Sequence, residues 1–189
     1  MTAGASPVVG EVTDRAGAAR ARWPLLLGVA AAVLALDQLT KAWAVAVLDD
    51  GHVIDLVGSL RLRLVVNYGA AFSLSDGRGP LISLLALGVV AVLLHTGRRT
   101  ARPAMAVALG MVVGGALGNL TDRAFRAGDG ILGGGVVDFV DLQWWPVFNV
   151  ADSAVVVGAI LLLLLQWNEE AGDRRRGGEP RGEGGAGPE

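Results

Sequence analysis

Four apolar runs, each near the length that crosses a lipid bilayer, constrain this chain more than any other feature. They occupy residues 23–47, 80–95, 103–120 and 150–167. Spanning about 30 Å of hydrocarbon takes about 20 apolar residues in an α-helix. Lipid offers no water to backbone N–H and C=O groups, so each run is expected to be a helix. Composition points the same way. Of 189 residues, 52% are hydrophobic and the mean hydropathy is +0.51, too apolar for an ordinary soluble domain of this length. The net charge of −2 supplies no basic face for nucleic acid. Cysteine is absent, which excludes disulfides, a thiolate nucleophile and zinc–thiolate sites. His52 and His95 belong to no metal-spacing motif, so no metal is expected.

The basic residues orient the spans. Arg20 and Arg22 precede the first, Arg98, Arg99 and Arg102 join the second to the third, and Arg174 to Arg176 follow the fourth. With an even number of spans these three groups share one side, and the excess of arginine marks that side as cytoplasmic. Residues 1–22 lack a small-residue cleavage site and read as a disordered cytoplasmic leader. Residues 168–189, rich in Gly, Arg and Glu, read as a disordered cytoplasmic tail. Residues 23–167 form the membrane domain between them. Its two long loops, 48–79 and 122–149, then face outward. Within the first, residues 52–67 alternate apolar and polar around Gly58, as a short hairpin would. Trp144 and Trp145 suit an interfacial position.

Polar residues gather at the outward end of the spans. Asp37 lies 14 residues beyond Trp23, about 21 Å along a helix at about 1.5 Å per residue. Asn119 and Asp122 close the third span, Asp138 stands just beyond, and Asn149 and Asp152 open the fourth. Ionisable groups at membrane depth are costly and mark function by default. Asp37 and Lys41 stand at i, i+4, an orientation that suits a helical ion pair, either neutralising charge in the bilayer or ordering a site. Arg123 is within a turn of Asn119 and is placed to meet a carboxylate or a substrate carbonyl. Asn67 ends the hairpin and offers both an amide donor and an acceptor. Gly110, Gly114 and Gly118 form a small-residue stripe that lets a neighbouring helix approach closely.

Asp138 and Asp152 are the candidate chemical pair. In its first-turn position Asp152 has a purely structural explanation, the helix dipole, and Asn149 reads equally well as an N-cap. Asp138, flanked by Val136, Val137, Phe139 and Val140, is harder to explain structurally, because desolvation there favours the neutral acid. Two such carboxyls sharing a proton would serve as base toward water and acid toward a carbonyl oxygen or leaving amine.

The strings DQLTK, VVNYGAAFS, GGALGNLTDR, VVDFVD and FNVADS, in this order and at these span positions, resemble the lipoprotein signal peptidases (signal peptidase II) over residues 25–165. The resemblance implies an integral membrane protein, all-α in class, with four transmembrane helices and a small extracytoplasmic β-cradle at about residues 48–74. It implies a bacterial inner-membrane aspartic endopeptidase that cleaves prolipoproteins just before a diacylglyceryl-modified cysteine, with the active site at the outer leaflet. The catalytic pair falls on Asp138 and Asp152. Asp37, Lys41, Asn67, Asn119, Arg123 and Asn149 bind substrate or support the pocket. No cofactor is required, the partners are lipid-modified prolipoproteins and membrane lipids, and a monomer is expected. The rival readings are a small proton- or ion-coupled carrier and a scaffold whose glycine stripe binds partner helices. A carrier should show titratable groups at several depths, whereas the acids here lie on one face.

Overall fold

A computed structural model of the chain describes residues 7–69, 79–128 and 130–177. Four helices dominate: α1 (Pro7–Leu48), α2 (Gly79–Gly97), α3 (Pro103–Phe125) and α4 (Val150–Gly177). Each contains a stretch long and apolar enough to cross a membrane, at Arg22–Gly51, Gly79–Gly97, Pro103–Phe125 and Val150–Asn168. Helix α1 reaches back to Pro7, into the stretch expected to be a disordered leader, and α4 runs on to Gly177, into the expected tail. Residues 1–6, 70–78 and 178–189, which include the far end of the expected cradle, lie outside the described residues.

Helix α3 is the centre of the bundle. Over half of its apolar stretch is buried, against less than a quarter of each of the others. Its start is set by Pro103, whose fixed φ and missing N–H suit the first helical turn. The glycine stripe explains its central place. A Cβ on Gly110 would sit 2.7 Å from the Leu26 carbonyl oxygen, and one on Gly114 would sit 2.6 Å from that of Ala30. Both glycines therefore bring the backbones of α1 and α3 together. Gly115 does the same for α4, where a Cβ would collide with the Ala151 carbonyl oxygen. The outer faces of the other helices carry exposed apolar side chains such as Leu39, Leu84, Leu85 and Leu163. Such faces suit a lipid environment.

Three antiparallel strands cover one end of the bundle: β1 (Val53–Val57), β2 (Leu60–Asn67) and β3 (Val136–Asp141), in the order β1-β2-β3. The expected hairpin is β1–β2, closed where Val57 pairs Leu60 around Gly58, whose φ of +57° suits glycine. The third strand extends the expected 48–74 cradle with a segment from far along the chain. It pairs Val65 with Asp138 and Asn67 with Val136. The sheet packs on the end of α1 through Val137 and Phe139 against Ala44 and Leu48. Apart from a short 3-10 turn at Asp49–Gly51, no helix beyond the four occurs among the described residues.

Candidate active site

The chain doubles back directly after β3, and this reversal places the two candidate aspartates together. Phe148 and Val140 exchange backbone hydrogen bonds of 3.0 and 2.9 Å, so residues 142–149 return alongside the strand. The Asp141 carboxylate ties the turn by accepting the Gln143 N–H at 2.7 Å. Asn149 and the first turn of α4 thereby land beside Asp138.

Asn149 is the joint between the two carboxyls. Its Nδ2 donates to Asp138 Oδ1 at 2.7 Å, and its backbone N–H donates to Asp152 Oδ2 at 3.2 Å. In return its Oδ1 accepts the Asp152 N–H at 2.9 Å. This reciprocal pair satisfies N–H groups that a helix start leaves open, as a capping box does. The amide of Asn149, which with Asp152 caps α4, thus also reaches Asp138. Asn67, delivered by β2, donates Nδ2 to Asp138 Oδ2 at 3.1 Å, while its Oδ1 accepts the Gly69 N–H at 2.9 Å. Asn119, from α3, donates Nδ2 to Asp152 Oδ1 at 2.8 Å.

Behind these amides lies a buried charge cluster. Lys41, fully buried, contacts Asp37 Oδ2 at 2.8 Å and Asp122 Oδ2 at 3.0 Å, and donates to Asn119 Oδ1 at 2.9 Å. Asp37 turns its other oxygen to the Ala151 N–H at 2.9 Å, fixing the start of α4 from α1. Gly118 makes room for this, since a Cβ there would sit 2.5 Å from Asp37 Oδ2. The Asp37–Lys41 pair expected from spacing is therefore present, and it orders the site besides neutralising charge.

Asp138 is 2% exposed. Burial pushes its carboxyl up to about 6, the charge of Asp152 pushes the same way, and hydrogen bonds from Asn67 and Asn149 oppose them. Asp138 and Asp152 line one cavity of about 510 Å³. It runs from them between α2 and α4 over α3, bounded by apolar side chains such as Ile82, Val89, Val112 and Val156. Arg123 also lines it, with Nη1 3.4 Å from the Gly134 carbonyl oxygen. A desolvated acid beside a second carboxyl, at the mouth of an apolar cleft, is equipped for acid–base hydrolysis. All eight residues picked out as candidates from the sequence enter this one assembly.

Three further residues were not singled out for this role. Asp122 accepts from Lys41, from Arg126 Nε at 2.7 Å and from the Val137 N–H at 3.0 Å, tying α3 to β3. Gln38 donates to Asp37 at 3.1 Å and to the Gly118 carbonyl at 3.1 Å. Ser83 Oγ lies 2.8 Å from the Gly79 carbonyl oxygen and 3.1 Å from that of Leu132, its one O–H shared between α2 and the loop before β3. Position within the DQLTK and GNLTDR strings marks Gln38 and Asp122, whereas Ser83 carries no sequence signal.

Residues 29–168 match the family model described as Signal peptidase (SPase) II. A lipoprotein signal peptidase of Rhodococcus jostii (strain RHA1) is 54% identical over 142 residues, covering 75% of this chain and 71% of that protein. One of Mycobacterium avium (strain 104) is 53% identical over 145 residues, covering 76% and 79%. A solved bacterial membrane enzyme superposes with a TM-score of 0.68 at 25% identity, over 85% of this chain and 94% of that one. With four membrane-length helices the chain is a multi-pass membrane protein. Motif order, fold and overall similarity agree, and the chain belongs to the signal peptidase II family.

Proposed function

We propose that this protein is a membrane aspartic endopeptidase that removes signal peptides from diacylglyceryl-modified prolipoproteins, cutting on the N-terminal side of the lipidated cysteine. The observation that carries the reading is the bridging of Asp138 and Asp152 by Asn149 at the mouth of an apolar cleft. The two carboxyls, with one proton between them, activate water against the scissile carbonyl. Arg123 and Asn67 stand at the same cavity to position peptide backbone and stabilise developing charge on oxygen. Acyl chains and the apolar part of the signal peptide fit the cleft between α2 and α4. One chain supplies both aspartates and the whole cleft, which supports action as a monomer.

Orientation in a bacterial inner membrane follows from charge. At the end of the bundle away from the sheet, Arg98 lies 5.4 Å from the Trp23 ring and Arg22 Nε donates to the Ala101 carbonyl at 3.4 Å. This arginine-rich end suits the cytoplasm. Both termini then lie inside, and the sheet and cleft mouth face the outer leaflet. A carrier finds no support: Asp37, Lys41, Asp122, Arg123 and Asp138, all buried, gather at the sheet end rather than at several depths.

Purified enzyme incubated with a diacylglyceryl-modified precursor tests the proposal directly, with the shortened product resolved by electrophoresis. Asp138→Asn and Asp152→Asn are each expected to insert and fold yet lose cleavage by more than about a thousandfold, as removal of an essential acid–base group does. Normal processing by either variant refutes the assignment.

A further inference from the structure

The hydrogen bonds behind the two aspartates start at one buried cation and reach Asp152 through a single amide. An ammonium group has three N–H donors and no acceptor. Lys41 directs all three at oxygens: Asp37 Oδ2, Asp122 Oδ2 and Asn119 Oδ1, at 2.8, 3.0 and 2.9 Å. With its oxygen claimed by a cation, the Asn119 amide has only N–H left to offer, and it offers it to Asp152 Oδ1 at 2.8 Å. Asn149 fixes the same orientation independently. Its oxygen accepts the Asp152 N–H, so its own NH2 points at Asn119 Oδ1, 3.1 Å away. The Asn149 backbone N–H takes Asp152 Oδ2 at 3.2 Å. Both oxygens of each carboxyl meet N–H donors, those of Asp138 from Asn149 and Asn67, but only Asp152 meets them from within the N-terminal turn of α4, where negative charge is favoured.

Resting on the function proposed above, we propose that Lys41 is a positioning residue which, through Asn119, holds Asp152 as the ionised member of the pair, leaving the shared proton on Asp138. The surroundings of Asp152 are Asp138 from β3, Arg123 and Asp122 from α3, and Asp37 and Lys41 from α1. The acids Asp37 and Asp122 are each bound to Lys41, and Arg123 lines the cavity shared by both members. What separates the two carboxyls is that Asp152 alone sits in the first turn of α4 and alone accepts from the Asn119 amide that Lys41 orients, whereas Asp138 is almost completely buried.

The roles then follow with all atoms accounted for. Asp152 takes a proton from water as the water oxygen bonds to the scissile carbonyl carbon, and Asp138 gives its proton to the carbonyl oxygen. In the resulting gem-diol the C–N bond breaks as Asp152 returns its proton to the amide nitrogen. Asp138 recovers a proton from one hydroxyl as the new carboxyl group forms. The pair ends as it began.

The pH dependence of kcat/KM on a diacylglyceryl-modified precursor, in a fixed lipid–detergent mixture, tests this division. Asn119→Ala removes the donor to Asp152 while leaving Lys41 paired with Asp37 and Asp122. The acidic limb of its profile is expected to move to higher pH, with about a tenfold loss on the acidic side, the scale of one hydrogen bond to a charged group, and recovery toward the optimum. Lys41→Met is expected to move the limb the same way, and adding Asn119→Ala to it is expected to shift the limb less than Asn119→Ala does alone, because both act on one chain. Lys41→Arg, which keeps the charge, is expected to hold the limb nearer its original place. If Lys41→Met fails to fold, Asn119→Ala decides alone. A profile lowered equally at every pH, with its limb unmoved, means that the amide only packs and overturns the inference. Failure of the function proposal is a separate result, namely cleavage surviving Asp138→Asn or Asp152→Asn.

Discussion

Asp138 and Asp141 stand three residues apart on one strand and meet opposite surroundings. Alternation along β3 turns them to different faces. On one face, Asp141 accepts from the Gln143 N–H and from both Arg63 and Arg61; burial opposes them, and they still hold the carboxyl down to about 2. On the other, burial and then the charge of Asp152 lift the Asp138 carboxyl to about 6, opposed by amides rather than arginines. This difference has a stability signature. A carboxyl whose folded value lies above the ordinary 3.8 leaves folding unpenalised below that pH. As pH rises toward 6 the unfolded chain ionises first, so stability falls by about 3 kcal/mol for a shift of about two units and then levels off. Thermal unfolding of wild type and Asp138→Asn in detergent should therefore diverge in the variant's favour between pH 4 and pH 6.5. A constant gap would mean that Asp138 is not held neutral. The two candidate aspartates and their amides were legible in the sequence because each sits in a distinctive string at the end of a span or hairpin. The role of Asp122 was not, because its partners Lys41 and Val137 come from elements distant in the chain. Arg61 and Arg63, two apart on a strand and so on one face, were the available hint to the pairing of Asp141.

Hydropathy exposed the four helices, since length and apolar continuity are read from consecutive residues. The third strand escaped because Val136–Asp141 is short, almost fully buried and paired with a strand some seventy positions earlier. A short apolar run of this kind has no period that separates strand from helix. The helices also extend beyond the apolar spans, over 7–22 and 168–177, where the chain is more polar and hydropathy does not read helices. At this scale the glycines of α3 set the spacing of the elements, and Gly115 sets it nearest the chemistry. Gly115→Ala forces a methyl group against the Ala151 carbonyl and the Val155 side chain, next to Asp152. It is expected to destabilise by about 1–3 kcal/mol, as overpacking does, and to lower activity with it. Gly88→Ala on α2 meets nothing within 4 Å and is expected to leave both unchanged or raise stability slightly. Equal unfolding temperatures for the two variants would remove Gly115 from this role.

Considered whole, the molecule is three helices arranged on a fourth, with α2 and α4 flanking α3 and the cleft lying between them. Val89 and Val156, on its two walls, are half exposed. On the function proposed above, precursors reach this cleft from within the membrane. Arrival at such a cleft is travel in a plane, so the concentration that governs turnover is the number of precursors per unit of membrane area. At fixed enzyme and precursor per millilitre, adding plain detergent micelles should slow cleavage steadily. A rate indifferent to micelle content would mean that precursors enter from solution instead. Crowding of the surrounding leaflet, rather than supply from the aqueous side, would then set the pace of the enzyme in a cell.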